Sequence, residues 1–122
     1  LARSYLDSSA DDIVHRNALP AYKLRRVLSA MEANLAEEFN LGHLAEIAGM
    51  SEYHFSRLFK KAAGYSPSQF FIRLRMVRAR QLLVETDRSV IDIGLEIGYS
   101  SPSHFSQVFK REVGVTPTQY RK

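Results

Sequence analysis

From Leu24 onward, apolar residues recur at helical spacing. Leu24, Val27, Leu28, Met31, Leu35 and Phe39 follow intervals of three and four, the stripe of an amphipathic helix packed on one side. Pro20 suits a first helical turn, so the pattern predicts a helix from there to about Glu38. Asn40 then predicts the N-cap of a short helix over 41–48, which Gly49 ends in a tight turn. Ser51 caps a further helix over 52–63, and Gly64 stops it. Ala45, between Leu44 and Ile47, is small enough to let two helices approach, so 40–64 reads as helix, short turn, helix. Ser66 and Pro67 open the next helix, which runs to about Val84. Phe70, Leu74, Val77 and Gln81 fall on one of its faces, and Phe71, Met76, Ala79 and Leu83 on a neighbouring one. At ~1.5 Å per residue it makes a rod of roughly 27 Å.

The pattern then returns. Ser89 caps a helix over 90–97, with Asp92 placed as a capping-box partner. Gly98 ends it, and Gly94 takes the small position of Ala45. Ser101 and Pro102 open a helix to about Val113, Gly114 stops that one, and Thr116 with Pro117 starts a last turn. Residues 51–70 and 101–120 are identical at nine of twenty positions, among them His54/His104, Phe55/Phe105, Phe59/Phe109 and Lys60/Lys110. Such a repeat is too dense for chance and too short for a solenoid. Gly49 and Gly98 are offset by 49 positions but Ser51 and Ser101 by 50, so the second turn is one residue longer. No segment alternates as a strand does. The fold class is all-α with about seven helices: two helix-turn-helix subdomains joined by a long linking helix. The expected boundaries are a polar tail or interdomain linker over 1–19, a first subdomain over 20–66, the linking helix over 67–85 and a second subdomain over 86–122.

Composition narrows what this arrangement does. The 122 residues suffice for one domain or two very small ones sharing a core. The absence of cysteine excludes disulfides, thiolate nucleophiles and thiolate-ligated metals. No apolar run approaches the ~18 residues of a membrane span, so no membrane partner is expected. No nucleophile motif, phosphate-cradling glycine loop or metal cluster appears; the expectation is no enzyme, no catalytic residue, no metal and no cofactor. His54 and His104 stand fifty positions apart and read as packing or phosphate-contacting groups rather than metal ligands. Charge is uneven: residues 1–40 carry five basic and six acidic residues, residues 41–122 twelve and seven. A basic excess confined to the repeat fits polyanion binding and equally fits a solvated basic surface. Arg73, Arg75, Arg78 and Arg80 are expected mainly in ion pairs with Glu85, Asp87, Glu96 or Glu112, and otherwise on phosphates.

The second helix of each unit favours the first of those readings. In 52–63, Phe55, Leu58, Phe59 and Ala62 face inward, and Tyr53, Ser56, Arg57 and Lys60 face out. In 102–113, Phe105, Val108, Phe109 and Val113 face inward, and Ser103, Ser106, Gln107 and Lys110 face out. Neither outer stripe holds Asp or Glu. Arg57 suits a bidentate pair with guanine and Gln107 one with adenine. Lys60, Lys61, Lys110 and Arg111 suit phosphates, which position without specifying. Helix-turn-helix proteins usually dimerise to reach two major grooves roughly 34 Å apart; here both reading helices lie in one chain. The copies differ at outward positions (Tyr53/Ser103, Arg57/Gln107) while keeping the packing positions, which predicts an asymmetric site. A helical protein-interaction module would also explain the helices and the repeat, but not the base-reading composition of both outer faces.

The stretches GMSEYHFSRLFKKAAGYSPSQF and IDIGLEIGYSSPSHFSQVFKREVGVTPTQYR are similar to the two helix-turn-helix motifs of the AraC/XylS family of bacterial transcription regulators. The resemblance covers about residues 21–121 and includes both motifs, the linking helix and the Gly/Pro punctuation. It implies a homeodomain-like, bilobed DNA-binding domain that activates transcription through RNA polymerase in the bacterial cytoplasm, at the nucleoid. It also implies a separate effector-binding or dimerisation domain elsewhere in the protein. The matching base-reading positions are Tyr53, Ser56 and Arg57 in the first motif and Ser103, His104 and Gln107 in the second. Lys60, Lys61, Ser101, Lys110 and Arg111 fall to phosphate contact. The sequence departs from some members in Pro102, at the start of the second reading helix, and in Gln107, where Arg is frequent.

Overall fold

The computed structural model describes residues 18–122, and the N-terminal part of the expected tail, residues 1–17, lies outside them. Seven helices follow: α1 (Ala21–Ala33), α2 (Leu41–Ala48), α3 (Glu52–Ala63), α4 (Pro67–Glu85), α5 (Val90–Glu96), α6 (Pro102–Val113) and α7 (Pro117–Arg121). The described residues hold no strand, and no helix among them is long and apolar enough to cross a membrane.

Most helix starts are written in local chemistry. The side chains of Asn40, Ser51, Ser66, Ser89, Ser101 and Thr116 each accept a hydrogen bond from the backbone N–H three residues on. These bonds satisfy donors that a helix start otherwise leaves without a partner. At Ser89 the bond runs from the Asp92 N–H. The full reciprocal box stands at Thr116 and Gln119, where the Gln119 side chain also accepts from the Thr116 N–H.

The chain divides into two units, each with its own core. The first holds the described residues up to Met31 together with Asn40–Phe70. Its buried apolar residues include Val27, Met31, Leu44, Ala45, Ala48, Phe55 and Phe59. Phe59 lies tilted against Phe55 and meets Phe70 edge-on, with ring centroids 5.6 Å apart in each pair, within the range that aromatic pairs favour. Leu19, expected in the tail, is 2% exposed, and its N–H donates to the Leu58 carbonyl at 3.2 Å. Leu19 stands before Pro20 and outside the helical stripe that begins at Leu24, so the sequence pattern passes over it.

The second unit takes Glu32–Phe39 and Phe71–Lys122. Its core gathers Met76, Ala79, Leu82, Leu83, Ile93, Ile97, Tyr99, Phe105, Val108 and Phe109, with Ile72, Val90, Val113 and Tyr120 packed against them. The predicted inward residues of both second helices follow expectation: Phe55, Phe59, Phe105 and Phe109 are fully buried. In α4 the outcome is narrower. Phe71, Met76, Ala79 and Leu83 are buried, whereas Val77 and Gln81 of the other predicted face are exposed. Gly94 is needed for contact rather than flexibility: a Cβ there would stand 2.9 Å from Cδ2 of the buried Phe105 ring.

Helix α1 stops at Ala33, not at Glu38, and the following segment packs in the second unit rather than the first. Long-range bonds hold that segment in place. Arg75 donates from Nε to the Leu35 carbonyl at 2.9 Å and from a terminal nitrogen to the Glu37 carbonyl at 2.6 Å. The carbonyls just past α1 thus meet a cation, which the negative end of a helix attracts. Phe39, the last residue of the apolar stripe, lies against Phe71 with centroids 5.5 Å apart.

Candidate nucleic-acid interface

The outer face of α3 is built on the buried pair Phe55 and Phe59, which fixes the helix's rotation. Tyr53 is 74% exposed; Arg57, Lys60 and Lys61 are exposed, and Ser56 is half-buried. The Arg57 guanidinium lies 5.8 Å from the Tyr53 ring centroid. That contact, worth ~0.5–1 kcal/mol at an exposed site, holds a bidentate donor ready beside an amphipathic ring. Lys60 and Lys61 occupy the last turn, where they also complement the helix dipole.

On α6, Ser101, Ser103, His104, Gln107, Lys110 and Arg111 are all exposed. The Ser101 hydroxyl accepts from the His104 N–H at 3.2 Å and keeps its own hydrogen to donate. Arg111 donates from Nε to Glu112 at 2.9 Å, an exposed pair that contributes little to stability, about 0–1 kcal/mol. The His104 imidazole meets the Tyr99 ring edge-on, with centroids 5.3 Å apart. The predicted residues are therefore gathered on two surface stripes, one per unit, each presented from a capped helix.

Two features escaped the sequence pattern. A Cβ on Gly42 would stand 3.0 Å from the Glu52 carboxylate oxygen, so that carboxylate lies against the first turn of α2. Free N–H groups and the dipole make such a turn attractive to anions. In the second unit the aligned positions are Ile91 and Pro102, and the acidic residue of the corresponding first turn is Asp92. The second feature is Arg75. Expected in an ion pair or on a phosphate, it is 8% exposed. Its guanidinium carbon lies 4.6 Å from the Phe71 centroid and 5.0 Å from that of Tyr99. Two carbonyls and two ring faces, rather than a carboxylate, accommodate its charge, which a buried cation requires. Arg78 keeps to the ion-pair expectation, 3.7 Å from Glu96, and Arg88, outside that expectation, pairs with the same carboxylate. Arg121 donates to the carbonyls of Leu83 and Thr86 at 3.0 and 3.2 Å, closing the C-terminal end of α4.

A family model described as a helix-turn-helix domain matches residues 44–122. A transcriptional regulator from Chromobacterium violaceum, described as AraC-type DNA-binding domain-containing, superposes with a TM-score of 0.76. It is 40% identical, with 81% of this chain and 88% of that one covered. The chain belongs to the AraC/XylS family. A second neighbour, the DNA-binding domain of the global transcriptional factor AdpA, was solved in complex with a target DNA. It gives a TM-score of 0.74 at 34% identity, over 80% of this chain and 88% of that one. Among curated relatives, the HTH-type transcriptional regulator GbdR of Pseudomonas aeruginosa is 40% identical over 79 residues. The match takes in 65% of this chain and 22% of GbdR, so the AraC-type domain spans under a quarter of that relative's length.

Proposed function

We propose that this domain binds DNA sequence-specifically for a bacterial transcription activator, with α3 and α6 inserted into successive major grooves of an asymmetric site. The observation that carries the reading is the pair of exposed stripes on homologous, capped helices, matched in their buried phenylalanines and different in their outward groups. In the first motif Tyr53, Ser56 and Arg57 read base edges. In the second, Ser103, His104 and Gln107 do so. Lys60, Lys61, Ser101, Lys110 and Arg111 hold phosphates and set the register. The AdpA domain, crystallised on a target DNA, supports double-stranded DNA as the partner. Relatives named as activators, such as RhaS of Enterobacter, support the direction of regulation.

The domain carries out no chemical step. It acts in the cytoplasm at the nucleoid, contacts RNA polymerase, and works with an effector-binding or dimerisation domain of the same protein. The test is selection from a random double-stranded DNA pool by the purified chain at near-physiological salt. The expected product is an asymmetric motif of two blocks about one helical turn apart. A single block would leave one unit as a brace. No enrichment by a folded chain would favour a protein-interaction module.

A further inference from the structure

The stretch from Gly98 to the Ser101 cap is one residue longer than that from Gly49 to the Ser51 cap, through Ser100, and the whole turn before α6, residues 97–101, is two residues longer than that before α3, residues 49–51. A longer turn gives the start of a helix more ways to sit, yet base reading requires side chains at that start to be placed within a fraction of an ångström. Something must fix the turn. Ile97, at its beginning, is 1% exposed and Tyr99 is 7% exposed. Gly98 between them has φ 104°, in the left-handed region, and a Cβ there would stand 2.8 Å from the Arg75 guanidinium carbon and 3.0 Å from the Ala36 carbonyl oxygen. The turn is therefore pressed onto the Arg75 guanidinium, which the Leu35 and Glu37 carbonyls hold. Tyr99 is bracketed by that guanidinium at 5.0 Å, by Phe105 at 5.7 Å and by the His104 imidazole at 5.3 Å. In the first unit the position aligned with Tyr99 is Met50, so the ring bracket belongs to the second unit.

We infer that Arg75 is a positioning residue for base recognition by α6, acting through Tyr99 on His104 and on the start of the reading helix, without touching DNA itself. The inference rests on α6 being a base-reading helix. It gives a sharper expectation than stabilisation alone, because Arg121 supplies a control. Arg121 also donates to two carbonyls of the same unit, but its bonds run to the end of α4 and not to the turn.

The experiment measures base preference at every position of the selected site for the whole chain and for Arg75→Lys, Tyr99→Leu, Arg121→Met and Gln107→Ala. Each is assayed at a temperature where circular dichroism shows the variant folded. Gln107→Ala identifies the block that α6 reads; if it alters no block, the base-reading assignment of α6 fails, separately from the role of Arg75. Arg75→Lys keeps the charge but loses the planar fork that satisfies two carbonyls and stacks on rings. It and Tyr99→Leu are each expected to reduce discrimination in the Gln107 block by about fivefold or more, the scale of one base-edge contact, and to leave the other block unchanged. Arg121→Met is expected to lower the unfolding midpoint while both blocks keep their preference. If Arg121→Met blurs the α6 block as strongly, or if Tyr99→Leu leaves it sharp, Arg75 is a stabilising residue only. Should Arg75→Lys not fold, Tyr99→Leu alone decides, since it removes the bracket and leaves the carbonyl bonds in place.

Discussion

Arg57 and Lys110 are both exposed cations on the proposed reading helices, and the roles proposed for them differ. Arg57 stands one turn from the start of α3 with its guanidinium over Tyr53, and its planar fork matches two acceptors on a guanine edge. Lys110 is a point charge in the last turn of α6. Arg57→Ala is expected to cost about 1–3 kcal/mol and to relax preference at one base position. Lys110→Ala should weaken all sequences alike and reduce the salt slope by about one. Fluorescence anisotropy against a panel of single-base operator variants separates the two, and identical profiles would refute the division of labour. Glu52 makes a prediction of opposite sign. Its carboxylate lies against the first turn of α2, where a DNA phosphate would meet repulsion. Glu52→Gln should tighten binding at low salt by about threefold, within the range of one charge at a helix end, and the gain should shrink as salt screens it. Weaker binding by this variant would mean that the carboxylate supports the fold of the motif rather than opposing the phosphate.

At the scale of elements, what is local in the structure was legible in the sequence. A cap acts on an N–H three residues away, so Asn40, Ser51, Ser89, Ser101 and Thr116 announce α2, α3, α5, α6 and α7 by themselves. The exposed stripes of α3 and α6 follow from the same periodicity that buries Phe55, Phe59, Phe105 and Phe109. What depends on distant partners was not legible. The segment past α1 is held by Arg75, some forty positions from Leu35, while Leu35 and Phe39 continue the apolar spacing from a backbone that is no longer helical. Tyr99 and Glu52 gain their roles from neighbours in space, and no spacing rule points to them. The small residue inside each motif lies between these cases: Gly94 reads as small from its place in the repeat, and the structure supplies the reason, the Phe105 ring. Gly94→Ala should therefore overpack the contact of α5 with α6 and cost about 1–3 kcal/mol, measured by urea unfolding, because a ring that is 0% exposed has no room to retreat. A neutral result would show that α5 slides along α6 without loss.

The whole chain repeats one motif and then lets the copies diverge where they face outward, and its charge follows the same division. The net charge is +4, and the cations assigned to phosphates are shared between the copies: Lys60 and Lys61 in the first, Lys110 and Arg111 in the second. If each neutralises one phosphate, the slope of log K against log salt should be about −3.6, at about −0.9 per contact. Affinity would then fall by roughly a hundredfold between 50 and 200 mM salt. The slope also tests whether both motifs grip the same duplex. Lys60 and Lys110 belong to separate units, and effects at independent sites add. Lys60→Ala and Lys110→Ala should each flatten the slope by about 0.9, and the double variant by about 1.8. A flattening confined to Lys110→Ala would mean that Lys60 does not rest against a phosphate and that the backbone grip lies with the second motif. Equal and additive flattening is the outcome expected of one chain that engages both grooves, because counterions are released only where a cation comes to rest against the backbone.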